Sequence, residues 1–289
     1  MPGTETVSTA AVGAPSAGVS ARPEDRRRLA LRLVLTYLAL TLALSSIWYT
    51  LIIRGGTLQV AGGSFVFTLM WSPGVSALVT RLIWQRNLRG EGWGWGATRW
   101  QVLSYLIPIA YAAVAYGAVW ALGLGRLGPF GRNILVFVGL GTVSSCLSAL
   151  GEELGWRGLL VPELARLTSF TKLALLSGAI WTLWHVPLIL FADYNSGTPK
   201  AYALACFAVM VIGISFLFAW MRLRSGSVWT GMLLHASHNL WIQGFFDRVT
   251  VSSGRTAWLI GEFGAALALT STIVALIFWG LRHRLPPTR

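Results

Sequence analysis

Charged side chains are scarce in this chain. Asp, Glu, Lys and Arg make up 11% of its 289 residues, and hydrophobic residues make up 55%. Soluble domains usually carry about 25% charged residues, so the composition places the chain among membrane proteins. The length accommodates about eight apolar spans of roughly 20 residues each, joined by short loops.

Cysteine is also scarce, and its placement excludes two classes of site. Cys146 and Cys206 both lie within apolar runs, and no CxxC spacing occurs, so neither a disulfide framework nor a cysteine metal site is expected. The HExxH motif of zinc peptidases is absent as well. The net charge of +13 comes from basic residues in short loops between apolar runs. That distribution indicates membrane topology and not a nucleic-acid partner.

The chain divides into a tail and one membrane-embedded domain. Residues 1–25 are rich in small residues without apolar periodicity, which predicts a disordered cytosolic tail. Residues 26–285 are predicted to form a single all-α polytopic membrane domain. Each apolar run is long enough to cross ~30 Å of hydrocarbon at 1.5 Å per residue. The runs lie near residues 26–53, 65–84, 102–122, 134–160, 171–191, 201–221, 227–246 and 256–281.

The distribution of basic residues predicts the orientation. Sixteen of the 23 basic residues lie on the side of the two termini and six on the other side, leaving out Arg157, which falls inside a span. Cytosolic loops carry the excess of basic residues, so both termini are predicted to be cytosolic. Only two of the 23 are lysine, which indicates a GC-rich bacterial genome. The expected location is therefore a bacterial cell membrane.

Carboxylates inside the fourth apolar run mark a candidate site, because an ionisable group at mid-span costs at least ~2.5–3.5 kcal/mol. Glu153 and Arg157 are one helical turn apart and are expected to pair. Glu152 points about 100° away, so it is expected to lack a partner on its own helix and to be free for chemistry. Glu262 lies near the start of the last run, within reach of the interface, and is given no role.

Histidines occupy the fifth and seventh apolar runs. His185 shares a helix face with Trp181, whose indole can pack against the imidazole. His235 and Asn239 are one turn apart, and two such donors suit a developing oxyanion. Interhelical hydrogen bonding is the alternative explanation. His238 lies on another side of the helix, and its role is left open.

The depths of these residues predict a shared site. Glu152, His185 and His235 lie roughly 12–21 Å from the cytosolic ends of their spans at 1.5 Å per residue. Helix tilt can absorb this scatter. The sequence therefore predicts that they meet in one intramembrane cavity that opens to the cytosol.

Three motifs together resemble the CAAX-protease and bacteriocin-processing (CPBP, or Abi) family. The family pattern is EExxxR, FxxxH and HxxxN, in this order on separate membrane helices. Trp replaces the Phe of the second motif here, and the resemblance covers about residues 65–245. The matching positions are Glu152-Glu153 to Arg157, Trp181 to His185, and His235 to Asn239.

The resemblance implies an eight-helix intramembrane endopeptidase that needs no cofactor and cleaves membrane-associated proteins or peptides. It also implies roles for the motif residues. A water would be activated by Glu152 and His185, and the tetrahedral oxyanion would be held by His235 and Asn239. The site would be positioned by Glu153 and Arg157. A buried carboxylate holds its charge unfavourably, which suits it to accept a proton from water.

Two other functions are compatible with the sequence. A zinc-dependent metallopeptidase could use Glu152, His185 and His235 as its ligands. A non-catalytic membrane protein, such as an immunity protein, a scaffold or a small transporter, could keep the same fold. In each case the lipid bilayer is an expected partner. Neither the substrate nor the oligomeric state can be read from the sequence.

Overall fold

The computed structural model describes residues 22–286, so residues 1–21 of the predicted tail lie outside the described part. Most of the described residues are helical. The first helix begins at a proline, whose fixed φ suits the first turn. The α-helices are α1 (Pro23–Gly55), α2 (Ser64–Gln85), α3 (Thr98–Ala121), α4 (Ile134–Glu153), α5 (Val161–Leu167), α6 (Phe170–Phe191), α7 (Lys200–Ser225), α8 (Val228–His238), α9 (Asp247–Val249) and α10 (Ala265–Gly280).

The predicted all-α membrane fold is confirmed. Within residues 22–286, seven helical stretches are long and apolar enough to cross a membrane. One of them is the continuous run from α4 through α5, residues 134–167. The eighth predicted span, near 227–246, forms the continuous helical run from α8 to α9, which changes helix type along its length. The chain is therefore a multi-pass membrane protein.

Two π-helical segments interrupt the helices that carry the motifs. Leu154–Leu160 separates α4 from α5, and Asn239–Phe246 separates α8 from α9. The paired glutamates are the last two residues of α4, and Asn239 is the first residue of the second π segment. The wider π turn shifts side-chain directions at these positions, and π turns occur frequently at functional sites.

Helix α7 lies at the centre of the bundle, where it packs against α6 and α10. Helix α4 packs against α2 and α8, and most of its first half faces outward. The contact of α4 with α2 depends on Gly74, because a Cβ atom there would overlap the carbonyl oxygen of Gly151. The end of α4 that bears the glutamates is thereby held against the bundle.

Short elements complete the connections. The strands β1 (Arg126–Leu127) and β2 (Thr250–Val251) form an antiparallel pair, with Arg126 opposite Val251. The 3₁₀ segments are Val60–Gly63, Arg89–Glu91, Thr256–Trp258 and Leu281–Arg284.

Candidate active site

One cavity of about 180 Å³ brings the predicted catalytic residues together. Glu152, His185, His235 and Asn239 all line it, although they come from three separate helical runs. Its walls are otherwise largely apolar, with side chains such as those of Leu188 and Phe207. The predicted convergence of the three motifs in one cavity is therefore observed.

Glu152 is held by two indoles. Its Oε2 atom accepts a hydrogen bond from Trp156 Nε1 at 3.1 Å and another from Trp181 Nε1 at 2.9 Å. The expectation that Glu152 lacks a partner on its own helix is wrong, because Trp156 follows it by four residues. Both donors bind the same oxygen, so Oε1 remains available to a ligand in the cavity.

Glu153 connects two motifs. Its Oε1 atom accepts hydrogen bonds from Arg157 at 2.8 Å and from His235 Nδ1 at 2.9 Å. The predicted ion pair is thus present, and it also fixes the ring of His235. The close approach requires Gly231 on α8, because a Cβ atom there would lie 2.6 Å from Glu153 Oε2.

Arg157 is enclosed by aromatic rings. Its guanidinium carbon lies 4.1 Å from the ring centres of both Trp181 and Phe218, and the residue is 2% exposed. Ion pairing and cation–π contacts offset the cost of burying this charge. The arginine therefore stabilises the junction between the helices of the first and second motifs.

His185 is oriented by its own helix. Its Nδ1 atom lies 2.9 Å from the carbonyl oxygen of Trp181. Because a carbonyl can only accept a hydrogen bond, Nδ1 carries the proton, and Nε2 is left with a free lone pair. The predicted packing of Trp181 on His185 is present, with ring centres 6.1 Å apart.

Two arginines donate hydrogen bonds to carbonyl groups of the first π segment, Leu154–Leu160. Arg81 donates to the oxygen of Gly158 at 3.0 Å, and Arg222 donates to the oxygen of Arg157 at 2.7 Å. Glu91, in the connection between α2 and α3, forms a buried ion pair with Arg81. Burial raises the pKa of Glu91, an effect that Arg81 opposes. This cluster anchors the helix turn that follows the two glutamates.

Sequence reasoning missed a second polar group in the cavity. Glu262 is 7% exposed and hydrogen-bonds His238, Tyr194 and Gln243, and all four side chains line the cavity. The position of Glu262 near the start of an apolar run suggested the membrane interface instead. Its connecting segment folds inward over the cavity, which no local sequence pattern predicts.

Three residues that line the cavity come from connections between helices. Leu58, Tyr194 and Glu262 line it, and they lie in connections that follow one, five and seven crossings of the bundle. Cytosolic termini and a cavity that opens to the cytosol were both expected. The orientation of the termini and the side of the membrane on which the cavity opens both stay predictions.

The geometry also bears on the metal alternative. In the described residues, no three His, Cys, Asp or Glu side chains are arranged so that they could hold a metal ion. Glu152 Oε2 is already occupied by two indole donors. Oε1 of Glu152 has neither of these donors, so the alternative in which Glu152, His185 and His235 hold a metal stays a prediction that chelation tests.

Comparison with known proteins points to one family. Residues 133–241 match the family model described as type II CAAX prenyl endopeptidase, Rce1-like. The chain is also similar to a CAAX prenyl protease 2 from Methanococcus maripaludis, with 31% identity over 98 residues. That alignment covers 32% of this chain and 36% of the relative, so the chain matches about a third of the relative's length.

The matched region contains all three motifs, from the glutamate pair on α4 to Asn239. It also contains both ends of the hydrogen bond between Glu153 and His235. The segment that carries Glu262 lies beyond it. Over residues 133–241, which are less than half of its length, the chain is thus similar to the type II CAAX prenyl endopeptidase family.

Proposed function

We propose that this protein is an intramembrane endopeptidase that hydrolyses peptide bonds of membrane-associated proteins or peptides. The observation that carries the proposal is the shared cavity, in which Glu152, His185, His235 and Asn239 meet. Ionisable groups at membrane depth are costly, and four convergent polar groups of this kind suit hydrolysis better than a purely structural role.

Glu152 acts as the general base. The two indoles occupy Oε2 and fix the carboxylate, and Oε1 accepts a proton from the attacking water. The Nε2 lone pair of His185 accepts the water's second hydrogen bond and orients its oxygen toward the scissile carbonyl carbon. Two fixed acceptors therefore determine the direction of attack.

His235 and Asn239 stabilise the oxyanion. The Asn239 amide supplies one donor. Because Nδ1 of His235 donates to Glu153, the ring can donate from Nε2 only as an imidazolium paired with that carboxylate. Such preorganised donors are worth about 10²–10³-fold each in rate.

Collapse of the tetrahedral intermediate breaks the C–N bond. Glu152 returns its proton to the departing nitrogen, so that the amine leaves in neutral form. The new carboxylic acid then gives its proton to His185 or to water. The sequence of steps consumes one water molecule, needs no oxidant or reductant, and restores the starting protonation of Glu152.

Purified protein in liposomes tests the proposal. Membrane-tethered peptides of varied sequence are added, and products are identified by mass spectrometry. Wild-type protein should release discrete fragments, whereas Glu152→Gln should lower the rate by about 10²–10⁴-fold with the fold intact. Asn239→Ala should lose about 10²–10³-fold.

Glu163→Gln is the matched control. Glu163 is also a buried acid, on α5, but it pairs with Arg81 and Arg166 and does not line the cavity. The Glu163→Gln protein should cleave the tethered peptides at a rate near that of the wild type. An immunity or scaffold protein would release no fragments with any variant, and equal cleavage by wild type and Glu152→Gln would contradict the assigned base.

A further inference from the structure

A second polar cluster lies where the connecting segments close over the cavity. Glu262 Oε1 accepts a hydrogen bond from His238 Nε2 at 3.1 Å. Its Oε2 accepts from the Tyr194 hydroxyl at 2.7 Å and from Gln243 Nε2 at 3.0 Å. All four side chains line the cavity, and the proposed hydrolysis uses none of them.

The hydrogen bonds of this cluster are compatible with a neutral His238. A carboxylate only accepts, so His238 Nε2 carries the proton that faces Glu262, and the Tyr111 hydroxyl can donate to Nδ1. A neutral His238 satisfies both contacts. Among residues 22–286, Glu262 has no arginine or lysine within ion-pair distance, and its single ion-pair contact is with His238. With His238 neutral, the negative charge of Glu262 is left without a cation.

Glu262 also keeps an unused acceptor site. A carboxylate offers about four lone-pair positions, and three are occupied here. The remaining position is on Oε1, which has one partner where Oε2 has two. Apolar walls such as Leu188 and Phe207 make an uncompensated charge attractive to a cation that enters the cavity.

The Glu262 cluster lies next to the predicted catalytic residues in the same cavity. The ring centres of Tyr194 and His185 are 5.9 Å apart, which links the Glu262 cluster to the water-activating histidine. Gln243 follows His235 by eight residues along the helix, which corresponds to at most about 12 Å at the α-helical rise of 1.5 Å per residue, since the π segment Asn239–Phe246 rises less. An extended peptide covers that distance with roughly three to four residues.

We propose that Glu262 is a specificity-determining subsite that binds a lysine or arginine side chain of the substrate, about three to four residues from the scissile bond. The proposal rests on the proposed function, because it names the substrate class of that site. Peptides with a basic residue at this distance are favoured over peptides with an uncharged side chain of similar length.

Cleavage of scanned peptides tests this subsite. A tethered peptide receives one lysine at each position around its cleavage site, and norleucine and glutamate replace it in matched peptides. Lysine at the favoured position should raise kcat/KM about tenfold or more over norleucine, mainly through KM, and glutamate should lower it. In Glu262→Gln the lysine-to-norleucine ratio should fall to about one.

Asp193→Asn is the matched control. Asp193 is a carboxylate on the same face of the bundle, but it binds Thr57 and the amide of Leu58 at the surface. This variant should keep the lysine preference. A preference that is absent at every position in the wild type, or that survives in Glu262→Gln, would overturn the proposal.

Binding separates this proposal from the proposed function. The same lysine and norleucine peptides are titrated against Glu152→Gln and against the double variant with Glu262→Gln, and affinities are measured without turnover. If the wild type cleaves no peptide but binding still prefers lysine only when Glu262 is present, the subsite is supported and the peptidase function is rejected. If Glu262→Gln fails to fold, the affinities of the lysine, norleucine and glutamate peptides for Glu152→Gln test the subsite. Equal affinities would refute it.

Discussion

Replacing Arg157 with alanine is expected to act mainly on the stability of the fold and less on the catalytic step. The side chain is 2% exposed, pairs with Glu153 at 2.8 Å, and lies over two aromatic rings. Removing one partner of a buried ion pair costs about 3–5 kcal/mol, and lost cation–π contacts add up to about 2 kcal/mol. Folded proteins are stable by only about 5–15 kcal/mol. The variant should therefore express poorly and melt well below the wild type.

A double variant separates charge burial from packing. Arg157→Met combined with Glu153→Gln removes both charges and keeps side chains of similar size. It should regain much of the stability lost in Arg157→Ala, because no unpaired charge remains buried. It should nevertheless stay inactive, since His235 loses the carboxylate that holds its ring.

Thermal melting in detergent and cleavage of a tethered peptide measure the two effects on the same samples. A melting temperature of Arg157→Ala equal to that of the wild type would refute the account of this ion pair. So would a double variant that is no more stable than the single one.

Three further outcomes are expected. Gly74→Ala should lower the melting temperature because its Cβ overlaps the backbone of α4, whereas Gly117→Ala has open space and should not. Since burial raises the pKa of Glu91, the folded state binds that proton more tightly. Its contribution to stability is thus largest at low pH and falls as pH rises through the raised value. The wild type should therefore lose melting temperature relative to Glu91→Gln as pH rises, and parallel curves would contradict this. With cytosolic termini, an impermeant maleimide should label Gln59→Cys in intact cells and Asn87→Cys only after permeabilisation, and the reverse pattern would invert the orientation.

The sequence predicted the elements that depend on local patterns. Apolar runs located the helices, because length and hydrophobicity alone decide whether a segment can cross a membrane. The spacing of Glu153 and Arg157 predicted their ion pair, since residues four apart share a helix face. The cost of intramembrane charges singled out Glu152, His185 and His235.

Contacts between distant segments were not predictable in this way. Trp181 follows Glu152 by 29 residues, and its hydrogen bond to the carboxylate depends on how α6 packs against α4. The inward fold of the segment with Glu262 depends on three connections that meet on one face. The π segments after Glu153 and at Asn239 likewise depend on tertiary contacts, such as the arginines that bind the first segment's carbonyls. Periodicity carries no information about any of these.

The most direct test of the central claim is the cleavage rate of purified protein before and after prolonged treatment with a strong chelator. Water activated by Glu152 and His185 needs no metal, so we predict that wild-type activity persists, that Glu152→Gln stays inactive under both conditions, and that the purified protein contains no stoichiometric metal. A metal held by a carboxylate and two histidines would be removed by such treatment. Loss of activity on chelation, restored by adding zinc, would contradict the proposed mechanism.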